Sequence, residues 1–339
     1  MSDSTVTVLV LAAGKGTRMK SRQAKVLHQV FFRPMLLHVL DAARAAGMAQ
    51  QVIIVGHQRE RVGEVLAGRQ VRLVVQEEQR GTGHAVLCAE DACSSPTVCI
   101  LCGDTPLIRP ETLAAMLAQH RQARADLTLM TTLLAEPFGY GRILRDEAGA
   151  IAAVIEEKDA APDQRAIKEI NAGIYLAERE LLFAALKRVG SDNSQGEVYL
   201  TDVVGLARDM GRRVQPFVHP VALDVLGVNS RIELARAEAE LQERRNRDLM
   251  LGGVTIHQPA TVAVATESVL GPDCLLEPQV RISGRSRLGV DCRVGAGSLL
   301  HDCELGDGTQ VGPYCVLSGC RLAAGTTIPP LTVREGGPC

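Results

Sequence analysis

The sequence predicts an α/β protein in which a doubly wound, mostly parallel sheet of the Rossmann-like type is followed by a short left-handed parallel β-helix. Three observations carry this. From residue 5 to about 135, short apolar runs alternate with segments of helical length, the pattern of strands joined by crossover helices. The first run, Val6-Thr7-Val8-Leu9-Val10, is mostly β-branched and apolar and flows directly into a glycine-rich turn. Beyond Gly252-Gly253, aliphatic residues return every six positions.

Taken in order, strand 6–11 leads into the glycine turn and then a helix over 34–47. Strand 51–55, helix 58–66 and strand 71–75 follow. A helix over 83–92 leads to strand 97–102, and a helix over 110–123 to strand 127–134. Residues 139–177 change to strand-like segments at 141–145, 151–156 and 170–176, expected to form a β layer inserted over the sheet as the second wall of a cleft. Helices resume at 178–189 and 198–210, and strand 214–218 closes the domain. An Ala/Glu/Arg-rich helix spans about 230–250. The hexad series then runs Leu270, Leu276, Ile282, Leu288, Val294, Leu300, slips by one to Leu305, Val311, Leu317, and slips again to Leu322 and Ile328. Three hexads per coil make this about three to four coils. The expected division is 1–228, a linker helix 229–252, and a β-helix 253–339.

Composition narrows the function. With 339 residues, a formal charge of −2, no Trp and 3% aromatic content, neither a basic nucleic-acid surface nor a base-stacking platform is expected. Met1-Ser2-Asp3-Ser4 carries no basic leader and no apolar run reaches membrane-spanning length, so a cytoplasmic protein without membrane association is expected. The ten cysteines are scattered, and the closest pair, Cys99 and Cys102, lies within one apolar strand. They are expected to be small buried hydrophobes rather than disulfides or metal ligands.

The turn after the first strand, Leu11-Ala12-Ala13-Gly14-Lys15-Gly16-Thr17-Arg18-Met19, exposes backbone N–H groups that suit a polyphosphate. It lacks the spacing of a P-loop and the third glycine of a dinucleotide fingerprint. Lys15, Arg18 and Lys25 lie within one short stretch and can neutralise a triphosphate. Asp104, in Cys102-Gly103-Asp104-Thr105-Pro106-Leu107, ends a buried strand, where a carboxylate can ligate Mg2+ or simply form a turn. Gln76 offers a donor and an acceptor to a base edge, and Gly81-Thr82-Gly83 makes room at a helix start.

The wording Leu11 to Met19, with Lys25-Val26-Leu27-His28 beyond it, resembles the signature of the sugar-phosphate nucleotidyltransferases. Within that group it is similar to the uridyltransferase half of bifunctional N-acetylglucosamine-1-phosphate uridyltransferase/glucosamine-1-phosphate acetyltransferases. The resemblance implies synthesis of UDP-N-acetylglucosamine and pyrophosphate from UTP and N-acetylglucosamine 1-phosphate, with Mg2+. It implies Arg18 and Lys25 as catalytic cations and Leu11, Ala12, Ala13, Gly14, Lys15, Gln76, Gly81 and Thr82 as the nucleotide site, with Gln76 and Gly81 reading uracil. Asp104 and Asn229 would be the metal ligands, although Asn229 could equally cap the following helix. Gly139-Tyr140-Gly141-Arg142-Ile143, Glu156 and the stretch Glu169-Ile170-Asn171-Ala172-Gly173-Ile174 match the family's sugar side, so Gly141, Glu156 and Asn171 would hold the hexosamine. His84 is expected to be structural, because a phosphate monoester needs no general base.

The resemblance covers about 5–250 closely and the hexad region loosely. The family's acetyl-transfer centre lies on later coils, so acetyltransferase activity is expected to be absent here. Hexapeptide prisms offer flat faces, and a homotrimer through the β-helix is expected. The competing readings are a uridylyl- or thymidylyltransferase for another hexose 1-phosphate, a hexapeptide acyltransferase with a degenerate nucleotidyl domain, and a non-catalytic nucleotide-sugar sensor.

Overall fold

The apolar runs become the strands of one sheet, and the central ones, such as 6–12, 50–55, 97–102 and 127–133, are buried on both faces, whereas the edge runs 72–75 and 214–218 are partly exposed. A computed structural model describes residues 6–336. In chain order it contains β1 (Val6–Ala12), α1 (Met35–Ala45), β2 (Gln50–Val55), α2 (Arg59–Val65), β3 (Arg72–Val75), α3 (Thr82–Leu87), β4 (Thr97–Cys102), α4 (Pro110–Gln122), β5 (Leu127–Leu133), β6 (Arg142–Arg145), β7 (Ile151–Ile155), β8 (Glu169–Glu178), α5 (Arg179–Leu186), α6 (Asp202–Asp209), β9 (Val214–Val218) and α7 (Arg231–Leu251). Two compact units result. One holds the described residues through Gln29 together with Arg33–Glu233, the other Val30–Phe32 and the described residues from Leu234.

In the first unit the strand order is β9-β5-β8-β4-β1-β2-β3. Alternate residues of β1 face opposite cores. Val6, Val8, Val10 and Ala12 pack with α1 side chains such as Val39 and Leu40, while Leu9 packs with Ala85, Val86 and Val203 from α3 and α6. All pairings along this path are parallel except those of β8, which runs antiparallel between β4 and β5. Here the structure corrects the sequence reading, because 170–176 is not part of an overlying layer but a central strand of the main sheet. Ile174 and Leu176 are fully buried, as a central strand requires. Only β6 and β7 leave the path, as an antiparallel ribbon joined to β8 at Arg142 and Ile170. The carboxyl ends of β1, β2, β3, β4 and β5 and the amino end of β8 therefore meet along one edge.

In the second unit, short parallel strands stack into three sheets of five, five and four strands, a left-handed β-helix. Ile256, Val264, Leu276, Ile282, Leu288, Val294, Leu300, Leu305, Val311, Leu317, Leu322 and Ile328 point inward and are buried. The coil begins earlier than the hexads predict, with Thr255–Ile256 and Ala263–Val264, and ends later, with Val333–Glu335, so there are four full coils and part of a fifth. A 3-10 turn at Pro259–Thr261 lengthens the first coil and breaks its period of six. In the last coil Arg334 occupies the place stacked on Leu317, so no aliphatic marks it.

The residue before many strands is Cys, Ser or Thr, and it turns inward at a prism corner. Cys274, Cys292, Cys303, Cys315 and Cys320 are buried there, as are Ser286, Ser298 and Thr309. Their sulfurs approach carbonyls of the next coil, Cys274 Sγ to Gly289 O at 3.0 Å and Cys315 Sγ to Pro329 O at 3.1 Å. They are thus weak donors as well as hydrophobes. Cys93 and Cys99 are plainly buried, Cys102 is half-buried, and Cys88 is exposed, contrary to expectation. Cys339 lies outside the described residues. No helix among the described residues is long and apolar enough to cross a membrane.

Candidate nucleotide and metal site

A cavity of about 420 Å3 opens at the carboxyl edge of the first unit's sheet. Its floor is the backbone leaving β1 (Leu11, Ala12, Ala13, Gly14), and Gln76, Gly81 and Thr82 stand on one side with Arg18, Lys25, Asp104 and Asn229 on the other. Of the residues expected at the nucleotide, only Lys15 does not line it; its side chain is exposed.

The glycine turn has two distinct glycines. Around Gly14 a Cβ would meet nothing within 4 Å, so its bareness leaves the space above the floor free for a ligand. Gly16 has φ +62°, and a Cβ there would lie 2.5 Å from the Lys25 Cβ. A side chain at residue 16 would therefore push Lys25 out of the site. Gly103 lets β4 close on β1, its N–H donating to Leu11 O at 3.0 Å, and so brings Asp104 to the same edge.

At the mouth, the Lys25 ammonium touches Asp104 Oδ2 and donates to Asn229 Oδ1 at 2.6 Å. Arg18 Nη2 donates to the same Asn229 oxygen at 2.8 Å. Asp104 is held by its carbonyl, which accepts the Val228 N–H at 2.8 Å, and by Gly227, where a Cβ would stand 3.2 Å from Asp104 Oδ1. Asn229 does not cap α7. Ser230 does so, in a capping box in which Glu233 N–H donates to Ser230 Oγ at 3.2 Å and Ser230 N–H to a Glu233 carboxylate oxygen at 3.0 Å. That frees the Asn229 side chain to face the site, with its Nδ2 donating to Gly227 O.

Two hard oxygens, Asp104 Oδ2 and Asn229 Oδ1, thus converge on one cation. This donor set fits Mg2+, which takes oxygen ligands and draws the rest of its shell from substrate phosphates and water. Among the described residues no cluster of three or more His, Cys, Asp or Glu offers an alternative metal cage.

The other expected residues divide. Gly141, Glu156 and Asn171 come together but outside the cavity lining. Asn171 N–H donates to Gly141 O at 2.9 Å, and a Cβ on Gly141 would lie 2.9 Å from Val154 Cγ1. Asn171 already uses both ends of its side chain, Nδ2 to the Tyr175 hydroxyl at 2.6 Å and Oδ1 to Gly173 N–H at 3.0 Å. Glu156 accepts from the Thr201 hydroxyl at 3.0 Å. Burial, with Asp202, Asp159 and Glu197 nearby, raises its pKa. Thr82 Oγ1 accepts the Leu200 N–H at 3.1 Å and so anchors structure while lining the cavity.

Several residues escaped the sequence reading. Gln79 lines the cavity and fixes its floor, Nε2 donating to Ala13 O at 2.8 Å. Glu197 lines it from a stretch with no recognisable motif. Tyr140 lies outside the cavity lining, where burial and the Glu233 and Asp104 carboxylates push its hydroxyl pKa upward. Burial pushes the Cys102 thiol up to about 12, aided by Asp104, so it is a spectator rather than a nucleophile.

Residues 8–174 match the model of the MobA-like NTP transferase domain. The chain is 49% identical over 309 residues to the bifunctional protein GlmU of Desulfotalea psychrophila, an alignment covering 91% of each chain. It is 48% identical over 300 residues to GlmU of Geobacter metallireducens, covering 87% of this chain and 63% of that one. It is 46% identical over 303 residues to GlmU of Heliobacterium modesticaldum, covering 89% and 66%. The chain thus spans less than two thirds of the length of these last two relatives.

Proposed function

The chain belongs to the GlmU family, and from that premise we propose that it is an N-acetylglucosamine-1-phosphate uridyltransferase, joining UTP and N-acetylglucosamine 1-phosphate into UDP-N-acetylglucosamine with release of pyrophosphate. The observation that carries the reading is the meeting of Arg18, Lys25, Asp104 and Asn229 at one end of a cavity floored by a glycine turn.

In this reaction a sugar-phosphate oxygen bonds to the α-phosphorus of UTP and the bond from that phosphorus to the bridging oxygen breaks. No proton need move, since the attacking phosphate is already an anion. The protein's task is positioning and offsetting charge. Backbone N–H groups of the turn underlie the phosphates. Arg18 and Lys25 give the mouth two positive charges against one from Asp104, and so hold the polyphosphate and the incoming sugar phosphate together. Asp104 and Asn229 would hold Mg2+, which when bound neutralises phosphate charge. Gly141, Glu156 and Asn171 would shape the hexosamine side; the largely desolvated Glu156 suits a hydrogen bond to a hydroxyl or acetamide better than a charge contact.

A pyrophosphate-release assay across the four nucleoside triphosphates and several sugar 1-phosphates tests this. UTP with N-acetylglucosamine 1-phosphate is expected to be the preferred pair, and Lys25→Met is expected to lower kcat/KM by about a hundredfold. A preference for another nucleotide or sugar, or an active Lys25→Met enzyme, overturns it.

The same reading extends to assembly as a homotrimer. One outer face of the β-helix carries Ala263, Arg281, Leu299, Val316 and Val333 in register, and the last three are exposed aliphatics. That stripe suits lateral packing between copies.

A further inference from the structure

We propose that His84 sets the base preference of the site by holding the Gln76 side-chain amide in one of its two orientations. The inference rests on assigning the cavity to a uridine nucleotide and concerns a residue that the reaction itself does not require.

Gln76 is 4% exposed and follows β3, its N–H donating to Val55 O at 2.8 Å. A buried amide can turn over about its terminal torsion at little steric cost, exchanging its donor and acceptor ends. Two neighbours decide which end is which. Gly81 O lies 3.0 Å from Nε2, and His84 Nδ1 lies 3.1 Å from the same nitrogen. A carbonyl can only accept, so the atom facing Gly81 O must be the NH2 group. The carbonyl cannot swing aside, because it also accepts the Ala85 N–H at 3.1 Å. Gly81 is itself wedged at φ +107°, where a Cβ would meet Val198 O at 2.5 Å. The second amide hydrogen then points at His84 Nδ1, which must be the bare ring nitrogen, with the ring proton on Nε2.

With both hydrogens engaged, Gln76 offers a base only its acceptor, Oε1. The N3–H of uracil matches that acceptor, whereas the bare N3 of cytosine meets it lone pair to lone pair. Without His84 one amide hydrogen loses its partner and the orientation rests on Gly81 alone. Turning the amide over toward cytosine then gives up one hydrogen bond instead of two, and discrimination weakens. His84 is thus a positioning residue that acts through Gln76.

The test compares kcat/KM for UTP and CTP in the wild type, His84→Leu and His84→Asn, on the full chain. The Leu variant is expected to lower the UTP-over-CTP ratio roughly tenfold, and Asn, whose short side chain keeps an accepting oxygen, to restore most of it. If the Leu ratio stays at the wild-type value, or both nucleotides lose activity equally, His84 is merely structural and the proposal fails while the uridyltransferase reading stands. A wild type with no preference for UTP sinks both. Should the Leu variant not fold, ring 15N chemical shifts of His84 in the wild type, assigned by their absence in the Asn variant, decide. A proton on Nε2 is expected, and one on Nδ1 overturns the proposal.

Discussion

His28 is buried beside Arg231, whose Nη1 lies 3.2 Å from its Nδ1, and its Nε2 has no hydrogen-bond partner among the described residues. Burial first, and the Arg231 charge second, lower its pKa below 6.5. The sign of the pH effect follows from linkage. Below 6.5 the unfolded chain takes up a proton that the folded chain refuses, so stability is full above 6.5 and falls as pH drops toward the lowered native value. Burial lowers the pKa of His120 too, partly opposed by Glu178, and adds loss in the same direction. Denaturant titrations at about pH 7.5 and about pH 5.5 are expected to show that loss in the wild type and a smaller one in His28→Gln; an unchanged pH slope in the variant discards the account. His28 stood in the recognised Lys25–His28 stretch, but its burial did not, because nothing local announces that the start of α7 will pack on it. Asn229 is similar. Its motif was legible, but that it does not cap the helix followed only from Ser230 and Glu233 forming the cap themselves, which leaves its side chain facing the cavity.

At the scale of elements, the prism corners of the β-helix give a direct test of what buried thiols do. Cys303 Sγ lies 3.4 Å from Leu317 O, and Cys303 N–H donates to Ser286 Oγ at 3.1 Å in the coil before it. Cys303→Ser keeps a donor at nearly the same volume and is expected to change stability by less than about 1 kcal/mol, whereas Cys303→Ala opens a small void and is expected to lose about 1–2 kcal/mol. Thermal and denaturant melts separate these; equal losses would mean the sulfur is only filler. The inward hexad residues from Leu270 to Ile328 were legible because their period is their geometry. The first coil was not, since the Pro259–Thr261 turn spoils that period. Strand β8 was read as strand but given the wrong neighbours. Period and propensity describe a segment's own conformation, and they do not say which of several apolar strands it will pair with.

At the scale of the whole molecule, sheet order decides where chemistry can occur. The larger cavity of the first unit, about 590 Å3, lies at the sheet's opposite edge between Ser95, Asp126, Glu178 and Arg212. It has no glycine turn, and Arg212 is already 3.6 Å from Asp126. The smaller cavity is the candidate site because the motif residues converge there. The apolar stripe on the second unit carries its own prediction: if copies pack through it as the proposed trimer, Val316→Glu is expected to yield monomers by light scattering while leaving uridyltransferase kinetics within about twofold. An unchanged mass would place the interface elsewhere.

By itself the sequence determined the fold class, and it named the glycine turn, Arg18, Lys25, Asp104 and Asn229 as the proposed phosphate-binding, cationic and metal-binding positions, which the fold brings to one cavity. Each lies in a short motif whose wording is local, although Asp104 and Asn229 taken singly would equally suit a turn and a helix cap. Tertiary structure alone decided that β8 runs through the middle of the sheet, that Lys15 stands outside the cavity, that Gln79 and Glu197 line it, and that Gly81 O and His84 Nδ1 both face the Gln76 amide nitrogen. The entry of Gln79 and Glu197 depends on groups distant in the chain meeting, as where Gln79 Nε2 reaches Ala13 O at 2.8 Å, and that proximity is created only when the cores close.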